Sequence, residues 1–411
     1  MDVVSASSLA EKLSADSKQL KELRHSTSAK TRETADAIGK LVEGLRLDTC
    51  RLILEHPVYA VANDAHGKLW HNVYYKQIET YRKSIVKHAA ALKEAKVSSG
   101  EAPTEEHAKK QDYFVRLVNA YTAFLSETMV FFQDMLLQLE DAVRKNRVSE
   151  SLVHECNLKS MHKCLLSLGD LARYRESVGE GKEKTFEVAY RYYERAAFLV
   201  PKSGNPQNQL AVLATYSQTE LVAVYHYCRS ILVAQPFSLG YTNLATLFGK
   251  NERAYAQHVV QAAESGIAGV GGGARPANRR QPGGNGKTDI KAKVHFFILQ
   301  FIRIQGHIFD WAASKFQLLG ADTPISTPDI DVDEFTTNVH AMLDNFENVL
   351  THLSDALLVR LVVICIFSVH ESVPSPSRAA AGEEKVAAHN RGPRTTGESL
   401  ALVVIYSLIK R

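Results

Sequence analysis

Paired cysteines are missing from this chain. Its 411 residues include five cysteines (Cys50, Cys156, Cys164, Cys228 and Cys365), and no two of them are spaced as CxxC. That excludes a zinc knuckle or a thioredoxin-type motif; with most of the thiols in apolar helical contexts, buried and reduced cysteines of an intracellular protein are expected rather than disulfides. Long hydrophobic runs are missing too. The two longest, residues 359–369 and 400–409, fall short of the ~20 residues a membrane span requires, and Arg360 interrupts the first, so both are expected to be buried helices. At the N-terminus, Met1-Asp2-Val3-Val4-Ser5 lacks a basic region followed by an apolar run, which argues against a secretory signal. No HExxH, no nucleophile elbow and no spaced ligand cluster appears, and the sixteen histidines are scattered. No catalytic residue, metal or cofactor is therefore expected, and the chain reads as a non-enzyme.

Two glycine-rich near-motifs fail for stated reasons. Gly283-Gly284-Asn285-Gly286-Lys287-Thr288 resembles the end of a phosphate-binding loop, but Gln281 stands where the first glycine is needed and no strand leads in. Gly269-Val270-Gly271-Gly272-Gly273-Ala274 fits a dinucleotide fingerprint only as any glycine run would.

What remains is an ordinary soluble composition, 45% hydrophobic and 23% charged, in a chain long enough for two domains. The net charge of +4 is uneven. Between Arg275 and Lys293 six basic residues face one acid, Asp289, so that segment carries +5 and the remainder −1. Apolar residues recur at helical spacing nearly throughout: two helices before Pro57, one from about Asp64 to Lys96, one from Glu105 to Lys145, and further helices over 158–175, 290–311, 332–350 and 353–370. In the helix that starts near Asp64, Trp70, Tyr74, Ile78, Tyr81, Ile85, Ala89 and Leu92 form one apolar face, and Lys76, Lys83 and Lys87 lie ~200° away as a basic stripe. No stretch reads as a sheet.

A 34-residue recurrence organises the middle. Ala189, Tyr193 and Ala196 return as Ala223, Tyr227 and Ser230, Pro201 returns one residue late as Pro236, and Leu210-Ala211 return as Leu244-Ala245. Small residues seven apart around an aromatic, closed by proline, let antiparallel helices pack closely, and the period is that of tetratricopeptide units. Tyr193 and Tyr227 are thus expected in the repeat core rather than in a base-stacking stripe. The expected domains are residues 1–265, a basic glycine-rich loop over 266–289, too polar to fold, and a helical-hairpin domain over 290–411 that reads as truncated.

The stretches Leu168-Gly169-Asp170-Leu171-Ala172-Arg173-Tyr174, Tyr192-Tyr193-Glu194-Arg195-Ala196-Ala197, Gly204-Asn205-Pro206-Gln207-Asn208-Gln209-Leu210-Ala211 and Tyr225-His226-Tyr227-Cys228-Arg229-Ser230 resemble the core signature of the Smg/Est family. The dense match covers about eighty residues. The resemblance implies an all-α fold: a 14-3-3-like bundle with tetratricopeptide-like pairs, followed by helical hairpins. It implies a phosphoserine or phosphothreonine pocket in which Lys76, in the context Tyr75-Lys76-Gln77-Ile78, faces Arg173 across a groove, with Tyr174 as a hydroxyl donor. Arg82 and Lys83 fall where a third basic residue completes a 14-3-3 pocket, and Asn208 is a further accessory candidate whose plainer role is local capping beside Pro206. Arginine's planar fork and lysine's point charge suit a dianionic phosphate. On residues alone, Arg173 is as readily the partner of Asp170 one turn earlier, and Lys76 a solvated helix face. The implied function is a nonsense-mediated mRNA decay adaptor, cytoplasmic or nuclear, that recognises a phosphorylated Upf-type helicase and pairs with a homologous partner. The alternative is a telomerase-associated or nucleic-acid-binding subunit acting through the basic loop.

Overall fold

The computed structural model describes residues 3–25, 31–98, 105–145, 152–178, 184–264, 286–316 and 332–372. Among them nearly every residue is helical and none belongs to a strand; one isolated bridge joins Ser203 and Gln235. The chain divides into two units, Met1–Pro201 and Lys202–Arg411.

The first unit opens with α1 (Val3–His25) and α2 (Arg32–Glu55), packed on each other. Thr31 caps α2 by accepting from the Thr34 amide, and Leu45, Thr49, Leu52 and Ile53 turn to the core at three- and four-residue steps. Pro57 ends the run and supplies the first turn of α3 (Pro57–Ala62). Asp64 then adopts a left-handed conformation, φ 49°, and caps α4 (Ala65–Leu69) through the Gly67 amide. The expected single helix from Asp64 onward is interrupted: Trp70–Tyr75 form a π turn before α5 (Lys76–Ser98). One inserted residue leaves the apolar pattern readable, which hides the interruption from periodicity. Arg24 meets this turn, donating to the carbonyls of Asn72 at 2.8 Å and Val73 at 3.1 Å.

Helix α6 spans Glu105–Lys145, the limits its periodicity predicts. Tyr121, Leu125, Met129, Phe132, Leu136 and Leu139 are buried in steps of four and three, packing α6 between α5 and α7 (Leu152–Val178). α7 carries the most buried face of the unit and packs also on α8 (Glu187–Leu199). Gly169 explains the closeness of that pair. A Cβ there would sit 2.3 Å from the Tyr193 ring, so only glycine admits this aromatic.

The second unit contains α9 (Asn205–Tyr216), α10 (Glu220–Ile231), α11 (Gly240–Glu264), α12 (Gly286–Phe316), α13 (Val332–Val349) and α14 (Asp355–Ser372). Its core joins the repeat residues Ala211, Ala223, Tyr227 and Leu244 to Phe297, Phe301, Met342, Phe346 and Leu361 from the later helices. This continuity differs from the expected division at 265: α10 and α11 find their apolar partners on α12 and α14, and the chain divides instead after Pro201. Residues 286–289, expected in the loop, begin α12, and the rest of that loop and the terminal segment 400–411 lie outside the described residues. Arg360, which breaks the apolar run of α14, places its guanidinium over the Tyr225 ring at 5.8 Å. All five cysteines are free, four of them buried, and no described helix is long and apolar enough to cross a membrane.

Candidate functional site: a cation–aromatic cluster on α5 and α7

Arg173 is buried, 7% exposed, so the groove-surface placement expected from sequence does not hold for it. Its Nη2 donates to Asp170 Oδ1 at 2.7 Å and its Nε to the Tyr193 hydroxyl at 3.2 Å, and Tyr193 donates in turn to Asp170 Oδ1 at 2.6 Å. The three groups close a ring of hydrogen bonds between α7 and α8. Burial works against the Arg173 charge, but Tyr193 and Asp170 outweigh it and hold the guanidinium's pKa above its ordinary value. Burial, reinforced by Asp170, pushes the Tyr193 hydroxyl well up, so it stays protonated and keeps donating. The pairing with Asp170 that the sequence offered as the plain alternative is thus present. Nε and Nη2 of the guanidinium are thereby committed to Tyr193 and Asp170.

The Tyr174 ring lies beside that network. Arg173 stands 4.5 Å from its centroid and Arg82, on α5, stands 5.0 Å from it. A tyrosine face attracts cations through its quadrupole, which positions two guanidiniums about one ring despite their mutual repulsion. Tyr121 of α6 adds a third helix. It stacks on Tyr81 at 5.2 Å, its buried hydroxyl has no hydrogen-bond partner, and burial raises its pKa while the Arg82 and Arg173 charges pull it down. Sequence reasoning missed Tyr121 and the role of the Tyr193 hydroxyl, because both depend on packing between helices.

The remaining candidates separate cleanly. Lys76 is half-buried at the start of α5, immediately after the π turn, and its ammonium makes no ion pair among the described residues; no bond joins it to Arg173. Lys83 is exposed and paired with Glu79 at 2.9 Å on its own helix. Asn208 belongs to the second unit and does not cap. It is buried at 3% and accepts a hydrogen bond from Asn243 at 2.8 Å, tying α9 to α11, while Pro206 occupies the first turn as expected. The structure therefore groups Arg173, Tyr174 and Arg82, leaves Lys76 without an ion pair on α5, and gives Lys83 and Asn208 partners of their own in Glu79 and Asn243. No cluster of three metal-ligating side chains exists among the described residues.

Among the described residues the chain is all-helical, which with its 34-residue recurrence places it in the class of all-α helical-repeat folds. Two family models match it: "Telomerase activating protein Est1" over residues 64–179 and "Est1 DNA/RNA binding domain" over residues 189–392. The chain belongs to the Smg/Est family. It is 28% identical over 361 residues to the nonsense-mediated mRNA decay factor SMG7 of Arabidopsis thaliana, covering 81% of this chain and 33% of that protein. It is 29% identical over 216 residues to the telomerase-binding protein EST1A of Danio rerio, covering 49% of this chain and 12% of that protein. It thus spans a third or less of these relatives' length. A crystal structure of Est1 and Cdc13 shares the fold with a TM-score of 0.61 at 15% identity, over 98% of this chain and 71% of that one.

Proposed function

We propose that this chain is a phosphoserine- or phosphothreonine-reading adaptor of nonsense-mediated mRNA decay. It has no catalytic role of its own, recognises a phosphorylated Upf-type helicase and acts beside a homologous partner. The observation that carries this reading is the Tyr174 ring flanked by Arg173 and Arg82, with the unpaired Lys76 ammonium on the same helix as Arg82. Lys76 supplies the mobile point charge and Arg82 the exposed fork. Arg173, held by Asp170 and Tyr193, contributes fixed positive charge. Charge-assisted contacts of this kind contribute about 1.5–3 kcal/mol each, so losing one lowers affinity by about tenfold or more. Titration of one serine peptide, phosphorylated and unphosphorylated, tests it: wild type prefers the phosphorylated form, and equal affinity for the two forms refutes the reading.

A second reading, nucleic-acid binding of the telomerase-associated kind, is favoured by the match of residues 189–392 to a model described as a DNA/RNA binding domain. It calls on the basic segment from Arg275 to Lys293, most of which lies outside the described residues. Affinity for RNA or DNA that falls steeply with salt is its signature.

A further inference from the structure

Arg24, near the end of α1, directs its side chain at backbone rather than at another side chain. Its Nη1 donates to the Asn72 carbonyl at 2.8 Å and its Nη2 to the Val73 carbonyl at 3.1 Å, both inside the π turn that ends at Tyr75. A π turn bonds each N–H five residues back instead of four, so where it returns to α spacing one carbonyl is left without an amide. Arginine's planar fork carries donors on separate nitrogens and suits two carbonyls one residue apart. A carbonyl left unpaired in a half-buried place is costly, and Arg24 removes that cost.

The packing around the turn explains why it is wide. His66, Trp70 and Tyr74 all meet the Phe132 ring of α6, at 5.4, 5.8 and 5.2 Å between centroids. Four residues overshoot one α turn by about 40°, so three rings at that spacing drift round the helix, and a turn wider by one residue takes up the drift. Leu69, Asn72 and Val73 also border a cavity of about 230 Å³, lined from α1 and α2 by Leu13, Ser17 and Thr49. Packing is incomplete there, and the two hydrogen bonds from Arg24 tie the turn to α1 beside it.

Lys76 follows immediately, as the first residue of α5. Its ammonium rides a flexible four-carbon stem, so the space it can reach is set by where the backbone holds its Cα. Further along, α5 is fixed by other means: Ile78 is fully buried and Tyr81 stacks on Tyr121 at 5.2 Å. We propose that Arg24 is the positioning residue of the phosphate site, a refinement that rests on the phosphate-reading function above. By holding the Asn72 and Val73 carbonyls it fixes the π turn, and through the turn the place from which Lys76 reaches a phosphate. Arg24 itself meets backbone and not the ligand.

The test joins a coupling measurement to a signal from the turn itself. Affinities for one phosphoserine peptide and its unphosphorylated form are measured in the whole chain as wild type, Arg24→Ala, Lys76→Ala and the double variant; Arg24→Lys stands in should Arg24→Ala fail to fold. Arg24→Ala is expected to lower affinity for the phosphorylated peptide at least about threefold, to spare the unphosphorylated one, and to cost nothing further in the Lys76→Ala background. Arg24→Lys, with one ammonium for two carbonyls, should fall between wild type and Arg24→Ala. Trp70 lies in the turn, and with the other tryptophan, Trp311, replaced by phenylalanine, its emission should shift in Arg24→Ala and not in Lys76→Ala. If wild type does not distinguish the two peptides, the phosphate reading falls and the role of Arg24 falls with it. If wild type distinguishes them, three results each overturn the role of Arg24 alone and leave the reading standing: losses that multiply in the double variant, an undiminished preference in Arg24→Ala, or an unmoved Trp70 emission.

Discussion

Arg173 and Lys76 carry the same charge in the same unit, and the fold treats them in opposite ways. Arg173 is buried on α7, clamped by Asp170 and Tyr193, and its side chain is part of how α7 meets α8. Lys76 leaves a π turn with no ion pair among the described residues, on the helix whose next exposed cation, Arg82, reaches the Tyr174 face. One cation is committed to the fold, and in the proposed reading the other is left free to meet a ligand. Charge by itself does not mark a binding residue. What marks it is a donor the fold has left uncommitted beside a field that the fold has fixed.

The largest effect separates the two directly. Arg173→Glu removes a buried cation and sets a second carboxylate against Asp170, so it should destabilise the first unit by about 3–5 kcal/mol or more. At ~2–4 °C per kcal/mol for a unit of this size, thermal unfolding should start at least roughly 6 °C lower, and an unchanged transition would mean that the hydrogen-bonded ring is not structural. Lys76→Glu, scanned in parallel, should leave the transition in place.

Next in size is an effect of pH in each unit. Burial, aided by the Lys163 charge, pushes His66 down to about 3, where it sits against the Ser167 hydroxyl at 3.1 Å. His226, donating to Gln207 at 2.8 Å, is also pushed down to about 3 by burial with Arg229 and Arg360. Both are neutral in the fold and take up a proton on unfolding, so their contribution is whole above about pH 6.5 and is lost as pH falls toward 3. Each should cost about 2 kcal/mol between pH 6.5 and 5, at ~1.4 kcal/mol per unit. Urea unfolding at pH 7 and pH 5 measures it, and equal midpoints would contradict the neutral assignment.

Smaller again is Gly169→Ala. The added methyl meets the Tyr193 ring, which must shift and take its hydroxyl away from Asp170 and Arg173; about 1–3 kcal/mol is expected. Loss of stability without loss of phosphopeptide affinity would show that the ring supports the fold and not the site.

The helices were legible because their apolar residues repeat: α6 runs over the limits its pattern predicts, and the alanines of the 34-residue recurrence are buried at Ala189, Ala196, Ala211 and Ala223. The π turn was hidden, since one extra residue within Trp70–Tyr75 does not disturb an apolar face. At the site, the Arg173–Asp170 pair is three residues apart and could be read directly, whereas Tyr193 joins it from twenty residues on, through a contact that exists only when α7 and α8 are packed. The choice between Arg82 and Lys83 was equally invisible. Adjacent on one helix, they point to different surroundings, and only the position of Tyr174 shows which one has an aromatic face to rest on. The division after Pro201 follows from which apolar faces find each other, a property of distant residues that no local window contains.

Lys76 and Lys83 give the most direct test of the central claim, because they share a helix and a charge and differ in commitment: Lys83 is paired with Glu79 and Lys76 is not. Affinity for one phosphoserine peptide should be measured in wild type, Lys76→Glu and Lys83→Glu, with the unphosphorylated peptide as baseline. The account predicts a loss of at least about tenfold, ~1.4 kcal/mol, for Lys76→Glu and no more than about twofold for Lys83→Glu. Equal losses in the two variants would mean that the peptide responds to the overall charge of α5, and that no phosphate pocket is built around Lys76.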